Sequence, residues 1–88
     1  MHEAGVMREL MRRITDVAAA NGGGRVAGVR VWLGALSHFT PAHFAEHFED
    51  ASRGTIAEGA VVACDVSDEP AHPDALWARL VSIDMAVP

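Results

Sequence analysis

The sequence predicts an α+β fold in the order α-β-α-β-β, a three-stranded sheet with two helices packed on one face. Three observations carry this expectation. Apolar residues recur at helical spacing in two stretches with recognisable caps. The period falls to two after the first of them and again after residue 60. Glycine- or proline-bearing turns mark the changes of period. At 88 residues the chain has room for one core, so residues 1–88 are read as a single domain.

The first helix is expected over Glu3 to Ala20, where Val6, Met7, Leu10, Met11, Ile14, Val17 and Ala18 make one apolar face. Asn21-Gly22-Gly23-Gly24 then supplies a left-handed cap and a turn. From Arg25 to Leu33 the alternation puts Val29, Val31 and Leu33 on one face and Arg30 and Trp32 on the other. Thr40 is suited to cap the second helix and Pro41 to open it, because proline lacks the N–H that a first turn leaves unbonded. Phe39 and Phe44 have the spacing of a hydrophobic staple, Phe48 and Ala51 continue the stripe, and Gly54 ends the helix.

A turn over Thr55 to Gly59 precedes a short apolar strand, Ala60 to Val66. The polar, proline-containing stretch 67–75 is read as a short loop leading to a last strand from about Leu76 to Met85. That strand is expected to present Trp77, Arg79, Val81, Ile83 and Met85 on one face and to pair antiparallel with the strand before the loop. The sheet face bearing Trp32 is left without a helix, and a second copy of the chain, forming a homodimer, is a candidate cover for it.

Composition narrows the function. A chain that is 50% hydrophobic and 22% charged has the balance of a globular domain and not of a disordered tail. Its net charge is −5 and its seven basic residues are all arginine, without the basic stripe a nucleic-acid binder needs to displace counterions. The single cysteine, Cys64, excludes an internal disulfide and is read as a small buried hydrophobe in its strand. No apolar run has the roughly 20 residues needed to cross a bilayer, and the start lacks the marks of a secretory signal. A soluble cytoplasmic protein, bound to neither membrane nor nucleic acid, is the expectation.

Catalytic arrangements are not found. Ser37 adjoins His38 without a nucleophile elbow, and Gly22-Gly23-Gly24 follows a helix, the reverse of a phosphate loop. Glu49 and Asp50 read as a solvated helix end, and His72 as an exposed loop residue. Metal ligation has two candidates. In Met1-His2-Glu3 the α-amine, the His2 amide nitrogen and His2 Nδ1 close adjacent five- and six-membered rings on one metal, and the Glu3 main-chain nitrogen completes a plane. Nitrogen-rich tetragonal geometry suits Ni(II) or Cu(II), and affinity rises with pH because binding displaces protons. On the second helix His43 and His47 are four apart and share a face, with His38 in the preceding loop. An amphipathic helix requires a polar face in any case, so that trio reads first as solvated surface and second as ligands.

Four segments resemble the HypA/HybF family of hydrogenase nickel-incorporation proteins: Met1-His2-Glu3, Gly34-Ala35-Leu36-Ser37, Arg53-Gly54-Thr55-Ile56-Ala57-Glu58-Gly59-Ala60 and Arg79-Leu80-Val81-Ser82-Ile83-Asp84. The similarity spans roughly residues 1–66 and 76–88. It implies a nickel metallochaperone, not an enzyme, that helps insert Ni(II) as cargo into [NiFe]-hydrogenase and in some organisms urease. His2 would be the main ligand, with Met1 and Glu3 completing the site. The implied partners are a GTPase of the maturation pathway and the large subunit of the nickel enzyme. Family members carry a zinc-binding insertion with two Cys-x-x-Cys pairs between the last two strands, where this sequence has only the short loop 67–75. No zinc-ribbon subdomain and no structural zinc are therefore expected. Thr40 stands where some members have an acidic residue near the nickel. The competing expectation is a degenerate member that keeps the fold and dimerises as an interaction module without metal.

Overall fold

The computed structural model describes residues 3–87. Its elements are α1 (Glu3–Ala20), β1 (Val26–Leu33), α2 (Pro41–Ser52), β2 (Val61–Val66) and β3 (Ala78–Met85). Helix α1 buries Val6, Met7, Leu10, Ile14 and Ala18, while Arg8, Arg12, Arg13 and Asp16 stay outside. Its end is a glycine-rich Schellman-type cap: Gly23 N–H donates to the Ala18 carbonyl at 2.8 Å and Gly22 N–H to that of Ala19 at 3.2 Å. Gly22 takes the left-handed conformation such a cap needs, with φ of 93°.

The sheet has the order β2-β1-β3. Strand β1 pairs parallel with β2, Val29 opposite Val62 and Val31 opposite Cys64. On its other edge it pairs antiparallel with β3, Val29 opposite Ile83 and Leu33 opposite Ala78. The expected antiparallel pairing of the last two strands is therefore incorrect: β2 and β3 are the two edges, separated by β1. The connection between them crosses the end of β1 and is bonded to it. Ser67 N–H donates to the Leu33 carbonyl, Gly34 N–H to that of Trp77 and Leu36 N–H to that of Ala75, at 2.8–2.9 Å. Helix α2 supplies the crossover that a parallel pair demands.

The face expected for the last strand also changes. The register shifts between Arg30↔Ser82 and Val31↔Leu80, so Val81 is bulged out of the ladder. Ala78 and Leu80 face the core before the bulge and Ile83 and Met85 after it, leaving Arg79 and Val81 exposed. A similar shift between Val26 and Gly28 lets Val26 and Val29 both turn inward.

Both helices cover one face. Ile14 of α1 and Phe44 and Phe48 of α2 join Val29, Val31 and Leu33 in a single core cluster. The opposite face carries the Arg30–Asp65 ion pair, with two contacts of 3.0 and 3.1 Å, beside half-buried Trp32 and exposed Val61 and Val81. No helix among the described residues is long and apolar enough to cross a membrane.

Of the glycines, Gly34 has the least room for a side chain. A Cβ there would lie 2.2 Å from the Ala75 carbonyl oxygen, and that atom is backbone and cannot swing away. Gly34→Ala should force the crossing loop off the end of β1 and lower the unfolding free energy by about 1–3 kcal/mol, measured by urea denaturation.

Candidate metal centre

The chain path gathers the ends of both helices. Helix α1 finishes beside the start of β1, joined to it by the glycine turn, so its first turn lies toward the end where β1 stops. Consistently, Glu9, Leu10, Arg12 and Arg13 line a shallow cleft with Ala78, Arg79 and Leu80 at the start of β3. Helix α2 begins after the turn that follows β1, and its later turns reach Ala60 and Val62 at the start of β2. Both helix amino termini therefore share the end of the sheet at which β1 terminates.

Local chemistry fixes α2 there. Thr40 is extended, and its hydroxyl accepts from His43 N–H at 3.1 Å, while Pro41 occupies the first turn. The staple forms as expected, with the Phe39 and Phe44 rings edge to face at 5.4 Å. Ahead of it, Phe39 N–H donates to buried Ser37 Oγ at 3.4 Å, and the intervening His38 is left-handed with φ of 67°.

The structure joins His43 to His47. Their Nε2 atoms are 2.9 Å apart and their rings are tilted at 73° with centroids 4.5 Å apart. Phe39 packs on both, at 5.8 Å from His43 and 6.0 Å from His47. Spacing pointed to the pair, but not to Phe39 as its platform; the aromatic four residues before His43 was the available signal. Among the described residues no group of three or more His, Cys, Asp or Glu side chains is placed to hold a metal, so His38 does not complete a three-ligand cluster with the pair. His72 is exposed, as expected; it lies on Trp32 at 4.7 Å, and its Nδ1 accepts from Asp74 N–H at 2.9 Å.

Cys64 is half-buried against the core, where burial and then the neighbouring Asp65 carboxylate push its thiol pKa up. On the outer face of α1, a hydrogen bond from Arg12 holds the Glu9 carboxyl below its usual pKa. Met1 and His2, the core of the proposed amino-terminal chelate, lie outside the described residues. Glu3 is the first residue of α1, so its main-chain N–H belongs to the turn that has no intrahelical acceptor.

A two-layer α+β domain with a histidine pair at one end has the makings of a small metal-handling protein. The chain belongs to the HypA family, described as hydrogenase/urease nickel incorporation, metallochaperone, which matches residues 1–72. That span includes Met1-His2-Glu3, Gly34 to Ser37 and Arg53 to Ala60, and stops short of β3. The family's role is that of a metallochaperone, not an enzyme. Similar proteins named hydrogenase maturation factor HypA include one from Rhizobium leguminosarum bv. viciae, 34% identical over 62 residues. One from Methylocella silvestris is 35% identical over 66 residues, and one from Chlorobaculum tepidum 33% over 70. These alignments take in 70%, 75% and 80% of this chain but 55%, 58% and 59% of the respective relatives. The chain thus spans little more than half the length of the curated relatives it matches.

Two outcomes follow for Thr40 and Cys64. Thr40→Ala should cost about 1 kcal/mol of stability through the lost cap, with Thr40→Ser retaining most of it, measured by urea denaturation. Cys64 should alkylate with iodoacetamide more slowly than a free cysteine near neutral pH, and accelerate only as alkali forms the thiolate; a fast neutral reaction would contradict its burial.

Proposed function

We propose that this protein carries nickel to a maturing nickel enzyme, [NiFe]-hydrogenase or urease, as a compact HypA-family domain comprising residues 1–88. The observation that carries this reading is the family match, which begins at Met1 and includes His2 and Glu3. The metal is held by Met1-His2-Glu3: the α-amine, the main-chain nitrogens of His2 and Glu3, and His2 Nδ1. Two features support the placement. The amide of Glu3 belongs to the unbonded first turn of α1, so metallating it sacrifices no helix hydrogen bond. A deprotonated amide there also puts negative charge at the amino end of a helix, where the macrodipole favours it.

Nickel is the cargo, and zinc plays no structural part in this reading. The sole cysteine is Cys64 in β2, and the connection from Ser67 to Trp77 offers no thiolate for a Cys-x-x-Cys site. Transfer needs recipients, and we assign that role to a maturation GTPase and the nickel-enzyme large subunit.

Nickel chloride titrated into the untagged protein, followed by calorimetry and absorption, should give one equivalent with the d–d band of planar nickel. Both His2→Ala and a variant with two added amino-terminal residues should lose the band, because each breaks the fused rings. Wild-type affinity should rise with pH as protons leave the amine and the amides. A planar band unchanged in both variants would overturn the terminal chelate. Absence of nickel binding in the wild type would favour an interaction module working through the open sheet face.

A further inference from the structure

Three features of this molecule are not used by the amino-terminal reading: the open sheet face with Val61 and Val81, the Trp32–His72 contact, and the His43–His47 pair. The pair carries the argument furthest, because its two Nε2 atoms already stand within the bite distance of one metal ion. We propose that His43 and His47 form a second divalent-metal station, a cis chelate through their two Nε2 atoms that takes Ni(II) with water in the remaining positions.

The distance between the donors decides which metal geometry fits. Imidazole nitrogens bind such metals at about 2.0–2.1 Å. Two of them at right angles, as in planar or octahedral coordination, are then roughly 2.9 Å apart, whereas a tetrahedral angle spreads them to roughly 3.3 Å. The observed Nε2–Nε2 separation is 2.9 Å. It fits the right-angled bite of tetragonal Ni(II) or Cu(II) better than the tetrahedral bite of zinc. Small rotations of the rings aim both lone pairs at one point beside the line joining the nitrogens.

Proton bookkeeping permits the exchange. In a neutral pair at hydrogen-bond distance one ring donates from Nε2 and the other accepts there, carrying its own proton on Nδ1. Metal on both Nε2 atoms requires each neutral ring to carry its proton on Nδ1. The pair is held in place by helical spacing, by Phe39 against both rings and by the Thr40 cap one turn earlier. Two donors held in advance bind with less ordering cost than two independent surface histidines. Glu46, Glu49 and Asp50 line a shallow groove with His47, a setting that attracts cations.

Such a site differs from the amino-terminal chelate in strength and spin state. With two protein donors it is weaker and retains exchangeable water, and six-coordinate nickel is paramagnetic where planar nickel is not. It stands at the end of the sheet where α1 begins. The station does not depend on the amino-terminal reading, and the test separates them.

Nickel chloride is titrated into the full chain bearing His2→Ala, followed by calorimetry and by ¹⁵N spectra of the histidine rings. One weak equivalent is expected, with the resonances of His43 and His47 broadening before those of His38 and His72. Loss of a partner that only supports a metal ligand costs 10–100-fold in affinity, so His43→Gln or His47→Gln, added singly, should weaken the residual binding by at least about tenfold. Thermal melts confirm that these variants fold, and the ring spectra need neither of them. Broadening that starts at His38 or His72, residual binding indifferent to both substitutions, or no nickel bound by the His2→Ala protein at millimolar metal would overturn the station. In wild-type protein, a missing planar band with broadening intact would remove the terminal chelate and leave the station standing.

Discussion

The rest of this structure depends on β1 being bonded along both edges. It is the one strand with two neighbours, parallel on one side and antiparallel on the other. Its inward residues Val29, Val31 and Leu33 are almost wholly shielded from water. A parallel neighbour cannot be reached by a tight turn, so the chain leaves the end of β1, runs back through α2 and re-enters as β2. An antiparallel neighbour on the far edge then requires the next connection to step over the end of β1, where it is tied down by hydrogen bonds to Leu33, Gly34 and Leu36. Both excursions place turns at the same end of the sheet. The histidines follow from that topology, because α2 starts where β1 has stopped.

Much of this was legible locally. The period-3.6 face of α1, the Thr40 cap, the Pro41 start and the Phe39–Phe44 staple each depend on residues within a few positions of one another, and all formed as read. Strand order was not legible, because alternation says which face a strand buries and nothing about which strand lies beside it. The bulge at Val81 had no signal either. Arg79, Val81 and Ile83 alternate without interruption, and only the partner strand shows that one residue is skipped. The candidate site divides in the same way. Spacing put His43 and His47 on one face of α2, but the closeness of their nitrogens and the Phe39 platform are tertiary facts. The proposed Met-His-Glu chelate could be read chemically from three residues because its rings would be closed by covalent geometry and not by the fold.

Phe39 connects the core to that chemistry. It is buried, packs edge to face on Phe44 and lies against both histidine rings. A ring in this position couples the entry angle of α2 to the placement of its polar face. The turn before it bears the strain: His38 takes a left-handed conformation that a residue with a Cβ adopts at a cost of about 1–2 kcal/mol. Burial of Phe39 and the Ser37 hydroxyl accepting the Phe39 N–H help hold it.

A carrier must hold metal firmly enough to select it and loosely enough to release it. A site enclosed in the core would satisfy every coordination position with protein and make release wait on local unfolding. Here the apolar interior is filled by Phe44, Phe48 and Ile14, and the histidines stand at its margin. A donor set that leaves positions to water lets a recipient's ligand bind before the carrier's ligand departs. Exchange then proceeds through shared intermediates, each no less coordinated than the last. On the proposed reading the metal lies off the core, so the sheet and both helices are held by apolar packing and backbone hydrogen bonds whether or not cargo is present.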